Sequence, residues 1–142
     1  LGDLSGADFL DLYSGSGIIG IEASSRGAGS VILVEKDRRK LPVLKRNITF
    51  VETDIKIINM AAERYLSMAK VNFDYIFADP PFPQKEKIKI LELISRKSLL
   101  RDKGTFLIHY PVEDTLPEET GDLILSDKRK YGRSIVNFYS RA

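Results

Sequence analysis

Residues 9 to 20 read Phe-Leu-Asp-Leu-Tyr-Ser-Gly-Ser-Gly-Ile-Ile-Gly, an apolar run that stops at an aspartate, turns through small residues and restarts as a helix. This stretch constrains the fold more than any other. Phe9 to Leu12 reads as a strand that delivers the backbone to a sheet edge, where Gly15 and Gly17, lacking Cβ, permit positive φ and close approach of a ligand. Ile18 then opens a helix whose first amides have no intrahelical acceptor.

Two ligands suit such a turn. A dinucleotide would set its pyrophosphate on those amides, and Gly15, Gly17 and Gly20 spell G-x-G-x-x-G. S-adenosylmethionine (AdoMet) has no phosphate, and its ammonium and sulfonium call for a carboxylate beside the turn. Asp11 is that carboxylate. It lies four residues before Gly15, with Tyr13 and Ser14 between, giving D-x-x-x-G-x-G. That spacing resembles the first motif of class I AdoMet-dependent methyltransferases; the bland alternative is a structural turn.

At 142 residues the chain is expected to form one domain spanning 1–142. No apolar run approaches the length that crosses a bilayer, so no membrane partner is expected and a cytoplasmic location is the default. Without cysteine, and with a single histidine, thiolate nucleophiles and Cys- or His-rich metal sites are not expected. The 22 basic and 20 acidic residues leave a net charge of only +2, so any nucleic-acid contact must be a local patch.

Leu1 to Ala7 read as a tail. After it, strands and helices alternate: Phe9 to Leu12 (strand), Ile18 to Ser25 (helix), Val31 to Val34 (strand), and a helix from an Asp37 cap to Thr49 or Phe50. Pro42 sits beyond the first turn of that helix, which therefore starts late or irregularly. Ile55 to Ile58 (strand), Ala61 to Met68 (helix), Phe73 to Ala78 (strand), Lys85 to Lys97 (helix) and Thr105 to His109 (strand) follow. Repeated right-handed crossovers require a parallel sheet with helices on both faces. Asp122 to Leu125 and Ser134 to Tyr139 are joined by Ser126 to Arg133, too short a link for a parallel crossover, and read as an antiparallel hairpin. The expected fold is α/β and Rossmann-like: a mostly parallel, seven-stranded sheet closed by that hairpin.

Ligands of open α/β sheets bind outside the carboxyl ends of the strands. Beyond the second strand stand Glu35, placed to accept both hydroxyls of a ribose, and Lys36. Beyond the third stand Asn59, Met60 and Ala61, where Met60 can pack on an adenine face; the alternative is that Met60 is core. Beyond the fourth stands Asp79-Pro80-Pro81-Phe82, the most specific signal. Two prolines fix φ and remove two amide donors, holding the loop rigid and leaving the Pro80 carbonyl free. A carboxylate, a fixed carbonyl and an aromatic face suit a planar base bearing an exocyclic amine. Asp79 and the Pro80 carbonyl accept the amine hydrogens while Phe82 stacks, aiming the nitrogen lone pair at a methyl donor. That chemistry needs neither metal nor covalent intermediate.

Lys128-Arg129-Lys130-Tyr131-Gly132-Arg133 is expected to form a basic hairpin turn overhanging the cleft, where Lys128, Arg129, Lys130 and Arg133 hold phosphates and Tyr131 stacks or packs; a solvated turn is the alternative. Arg38-Arg39-Lys40, Lys45-Arg46 and Arg96-Lys97 read as exposed helix faces. His109 reads as structural.

With these motifs in this order, the chain resembles the RsmD family of bacterial methyltransferases, over nearly its whole length. The resemblance implies AdoMet as cofactor, with S-adenosylhomocysteine as product, and methylation of the exocyclic N2 amine of one guanine in small-subunit (16S) ribosomal RNA. Ribosomal RNA or a small-subunit assembly intermediate would be the partner, and the enzyme would act as a monomer. It also implies further residues before the first strand that help cover the cofactor and grip RNA. Ala61 departs from the pattern, which often has Asp or Asn there for the adenine amine. Three alternatives stand beside this reading: an adenine-N6 methyltransferase of DNA or RNA, a nicotinamide-dependent oxidoreductase, and a non-catalytic RNA-binding domain.

Overall fold

The computed structural model describes residues 2–81 and 83–142. Its strands are β1 (Asp8–Leu12), β2 (Ser30–Val34), β3 (Asp54–Ile58), β4 (Phe73–Ala78), β5 (Leu100–Pro111), β6 (Glu119–Thr120), β7 (Leu123–Tyr131) and β8 (Ser134–Arg141). Its α-helices are α1 (Ile18–Ser25), α2 (Leu41–Asn47), α3 (Ala62–Met68) and α4 (Gln84–Arg96). The strands form one sheet in the order β3-β2-β1-β4-β5-β8-β7-β6. Pairings among β1 to β5 are parallel, and those joining β5 to β8, β8 to β7 and β7 to β6 are antiparallel. The order reverses between β1 and β4. A crevice opens at such a switch point because the two crossovers leave in opposite directions.

The sheet carries a core on each face. Leu10, Leu12, Ile76, Ala78, Phe106 and Ile108 meet Leu66 of α3 and Ile90, Leu91 and Ile94 of α4. On the other face, Phe9, Val31 and Leu33 meet Ala23 of α1 and Leu44 of α2. A strand buried on both sides reads as a continuous apolar run, which is why Val31 to Val34 of β2 was recognisable; β1 and β4 are mostly apolar but carry Asp11 and Asp74. At the edge away from the carboxyl ends, Arg101 joins three strands through 2.7 Å bonds to Asp8 and Asp74.

Four expectations change. The sheet has eight strands, because the two-residue β6 adds an edge. The helix expected from Asp37 is split: Asp37 caps a 3-10 turn, Arg38–Lys40, and α2 begins at Leu41 with Pro42 in its first turn, where a missing N–H costs nothing. The presumed tail is docked, since Leu4 is buried and its amide donates to the Arg26 carbonyl at 2.9 Å. The hairpin link is two residues long, Gly132 and Arg133, so Lys128 to Tyr131 lie within β7. This strand lies near the sheet edge and is exposed from Ser126 on, so its side chains can be charged without loss, and charge there discourages edge-to-edge pairing. Among the described residues no helix is long and apolar enough to cross a membrane.

Candidate active site

Sheet register assembles the site. Ile58, Val34, Leu12, Ala78 and Ile108 lie side by side across β3, β2, β1, β4 and β5. The residues that follow them, Asn59, Glu35, Tyr13, Asp79 and His109, therefore stand at one level, the first four just past their strands and His109 still within β5. Asp11 lies two positions back from Tyr13, level with Leu33 and Phe77.

The turn after β1 is fixed by its neighbours. Ser14 donates its amide to the Val34 carbonyl at 3.0 Å and its hydroxyl to the Asp11 carbonyl at 2.9 Å. Tyr13, with φ 61°, is held in a left-handed conformation that only a well-determined turn imposes on a non-glycine residue. The two turn glycines differ in purpose. A Cβ on Gly15, at φ +58°, would meet nothing within 4 Å, leaving open space for a ligand. One on Gly17, at φ +84°, would lie 2.8 Å from Leu44, so this position is needed to pack α2. Gly20 serves packing in the same way, against Leu33.

Glu35 binds this turn to the second crossover. Its Oε1 accepts from the Gly15 amide at 2.7 Å and its Oε2 from the Asp37 amide at 2.9 Å. Asn59 donates to the carbonyls of Glu35 and Lys36 at 2.9 and 3.1 Å, and the Met60 amide donates to Glu35 at 3.2 Å. Asn59 thus organises backbone between β2 and β3.

A cavity of about 920 Å³ opens over this edge. Tyr13, Glu35, Lys36, Met60 and Ala61 line it, together with Asp79 and Pro81. Asp11, Ser14, Gly15 and Gly17 are not on its wall; Asp11 and Ser14 are buried beside it. Asp11 is 1% exposed and its Oδ2 has no hydrogen-bond partner. Burial pushes the carboxyl up to about 7, assisted by the charges of Glu35 and Asp79 and opposed by hydrogen bonds from Ser14 and the Gly20 amide. A buried carboxylate oxygen without a donor is costly, and a cation or N–H donor entering from the cavity would relieve it.

Asp79 is exposed at the cavity wall, Pro80 is buried, and Pro81 is exposed. Phe82 lies outside the described residues. The residues read from β7 are divided by the pleat. Arg129 pairs with Val136, which pairs with His109, so Arg129 continues the row that holds Asp79. Arg129 and Tyr131 project to one face, Lys128 and Lys130 to the other. Because β7 runs parallel to β5, its end and Arg133 do lie at the ligand edge. There Arg133 pairs with Glu113 at 2.9 Å, while Arg129 pairs with Asp127 and sits 5.0 Å over the Phe138 ring.

Sequence reasoning missed three groups. His109 Nδ1 lies 3.0 Å from Asp79 Oδ1, thirty residues away in sequence, a contact that only parallel pairing of β4 with β5 creates. Arg38, Arg39 and Lys40, read as an exposed helix face, line the cavity because they form the 3-10 turn beside Glu35. Glu63 and Glu86 also line it, from α3 and α4; a hydrogen bond between them is the main reason the Glu63 carboxyl is raised.

The family model described as Conserved hypothetical protein 95 matches residues 2–140. A putative rRNA methyltransferase, YlbH, of Bacillus subtilis is 34% identical over 93% of this chain and 74% of its own length. The ribosomal RNA small subunit methyltransferase D of Escherichia coli is 27% identical over 95% of this chain and 69% of its own. Among solved structures, a conserved hypothetical protein of Streptococcus pyogenes superimposes with a TM-score of 0.91 at 30% identity, covering 99% of this chain and 89% of that one. The putative methyltransferase yhhF of Escherichia coli gives 0.89 at 27% identity, with 97% and 78% covered. The fold is that of the class I methyltransferases, and the chain belongs to the Conserved hypothetical protein 95 family, the RsmD-like methyltransferases.

Proposed function

We propose that this chain methylates the exocyclic N2 amine of a guanine in small-subunit ribosomal RNA, with AdoMet as donor. The observation that carries this reading is Asp11. Its buried, unpartnered carboxylate oxygen fits the ammonium end of AdoMet, and would repel the pyrophosphate of a dinucleotide. When bound, AdoMet supplies a methyl group on a sulfonium that departs as a neutral thioether.

The chain's own residues divide the remaining work. Ser14, Gly15 and Gly17 shape the turn around the donor, and Tyr13 walls it. Glu35 uses two acceptor positions on Gly15 and Asp37, and a carboxylate has others for the ribose hydroxyls. Lys36, Met60 and Ala61 flank the adenine. Asp79 and the Pro80 carbonyl accept hydrogen bonds from the two N–H groups of the target amine, one of which is lost as a proton to solvent when the methyl is transferred, with Pro81 and Phe82 assigned to the base site. Positioning and fixed charge supply the rate enhancement. Arg129, Lys128, Lys130, Tyr131 and Arg133 form the RNA-facing margin. The names of the two curated relatives support ribosomal RNA as the substrate class.

Calorimetric titration with S-adenosylhomocysteine, with NAD as control, tests the cofactor. Binding of the former alone, followed by methyl transfer to small-subunit RNA and identification of the product as N2-methylguanine, is the expected result. Binding of NAD alone would overturn it.

A further inference from the structure

Among the described residues, the hydrogen-bonding partner of the Asp79 side chain is His109. Asp79 needs one. It leaves β4 with a side chain 56% exposed, and rotation of a carboxyl about its last torsion is soft. His109 is better fixed. It sits within β5, whose neighbours on either side are β4 and β8, and its backbone is registered to Val136. A ring held by a central strand can therefore fix a carboxylate that has just left one.

We propose that His109 is a positioning residue: its Nδ1–H donates to Asp79 Oδ1 and leaves Oδ2 turned to the amine of the target base. This deepens the function proposed above and rests on it. Asp79 as a carboxylate is acceptor-only, so the hydrogen must come from the imidazole, which selects the Nδ1–H tautomer. The outer nitrogen, Nε2, is left free as an acceptor.

Two measurements decide the matter. His109 is the sole histidine, so the imidazole 15N spectrum of the whole chain reports this residue alone. The Nδ1–H form is expected in the unaltered chain and the Nε2–H form in Asp79→Ala. An Nε2–H imidazole in the unaltered chain would overturn the proposal, and this readout needs no activity. The second measurement compares His109→Leu with His109→Asn, which are close in shape and differ in a donor at the Nδ1 position. His109→Leu should lower kcat about 10- to 100-fold, the cost of a misplaced reacting group, with AdoMet affinity and KM for RNA within about twofold. His109→Asn should recover to within about threefold of the unaltered chain. Equal loss in both variants, or no loss in His109→Leu, refutes the role. If the unaltered chain methylates no RNA, the proposed function fails, and the tautomer alone decides the pairing.

Discussion

The Glu35 carboxylate accepts a 2.7 Å hydrogen bond from the Gly15 amide, so the acid that ends β2 holds the turn that follows β1. The residue placed to receive a ribose is thus also part of the scaffold. Glu35→Ala should lose on both counts. Two backbone amides lose their acceptor, which predicts a loss of about 1–3 kcal/mol in urea unfolding, and S-adenosylhomocysteine affinity should fall at least about tenfold. A variant that keeps full stability and full affinity would contradict this double role.

Asp79→Ala should abolish methyl transfer while leaving S-adenosylhomocysteine affinity within about threefold. Asp79 meets the target base in this reading, and Asp11 meets the donor. Calorimetry and a methyl-transfer assay on the same preparation separate the two. Equal loss of both would show the division of roles to be wrong.

Asp11 makes stability and binding depend on pH in opposite directions. Its folded pKa, about 7, lies above its ordinary value of 3.8, so the folded chain binds the proton more tightly. Stability is therefore full below about pH 4 and is lost as pH rises to 7, by about 3–4 kcal/mol for this group in isolation. A cationic ligand needs the ionised form, so its affinity should fall up to about tenfold per pH unit below 7. Asp11→Asn should flatten both profiles, raise the melting temperature of the unliganded chain at pH 8 and weaken cofactor binding. Thermal melts and titrations from pH 5 to 8 check each sign.

Lys87 is 3% exposed and forms an ion pair with Asp114, which docks α4 on the segment after β5. Asp114→Asn leaves a buried cation without its counterion and should cost about 3–5 kcal/mol. Lys87→Met removes the buried charge and leaves a carboxylate that is 18% exposed, so its cost should be smaller. Urea denaturation of the two variants tests the order.

Arg129 and Lys130 project from opposite faces of β7, and only Arg129 continues the row that holds Asp79. If the basic margin meets RNA, Arg129→Ala should weaken binding and reduce the salt dependence, log K against log salt, by about one. Lys130→Ala should have the smaller effect. Filter binding at several salt concentrations, alongside unchanged S-adenosylhomocysteine affinity, is the measurement.

Local sequence determined the elements whose signals are local. A continuous apolar run marked β2 because a strand buried on both faces needs no alternation, mostly apolar segments marked β1 and β4, and the run from Asp11 to Gly17 specified the first turn. The same logic failed where burial is one-sided. The fifth strand is expected to begin only at Thr105 and Ser126 to Arg133 to be a link, yet the polar residues Arg101 to Gly104 and Ser126 to Lys130 belong to β5 and β7, where part or all of the segment faces water. What only tertiary structure decided is which strand ends stand side by side. Strand order and register bring Glu35, Tyr13, Asp79 and His109 to one level, turn Arg38 to Lys40 into a cavity wall, and give Asp79 its histidine. These relations depend on pairing between segments far apart in the chain, and no spacing within one segment encodes them.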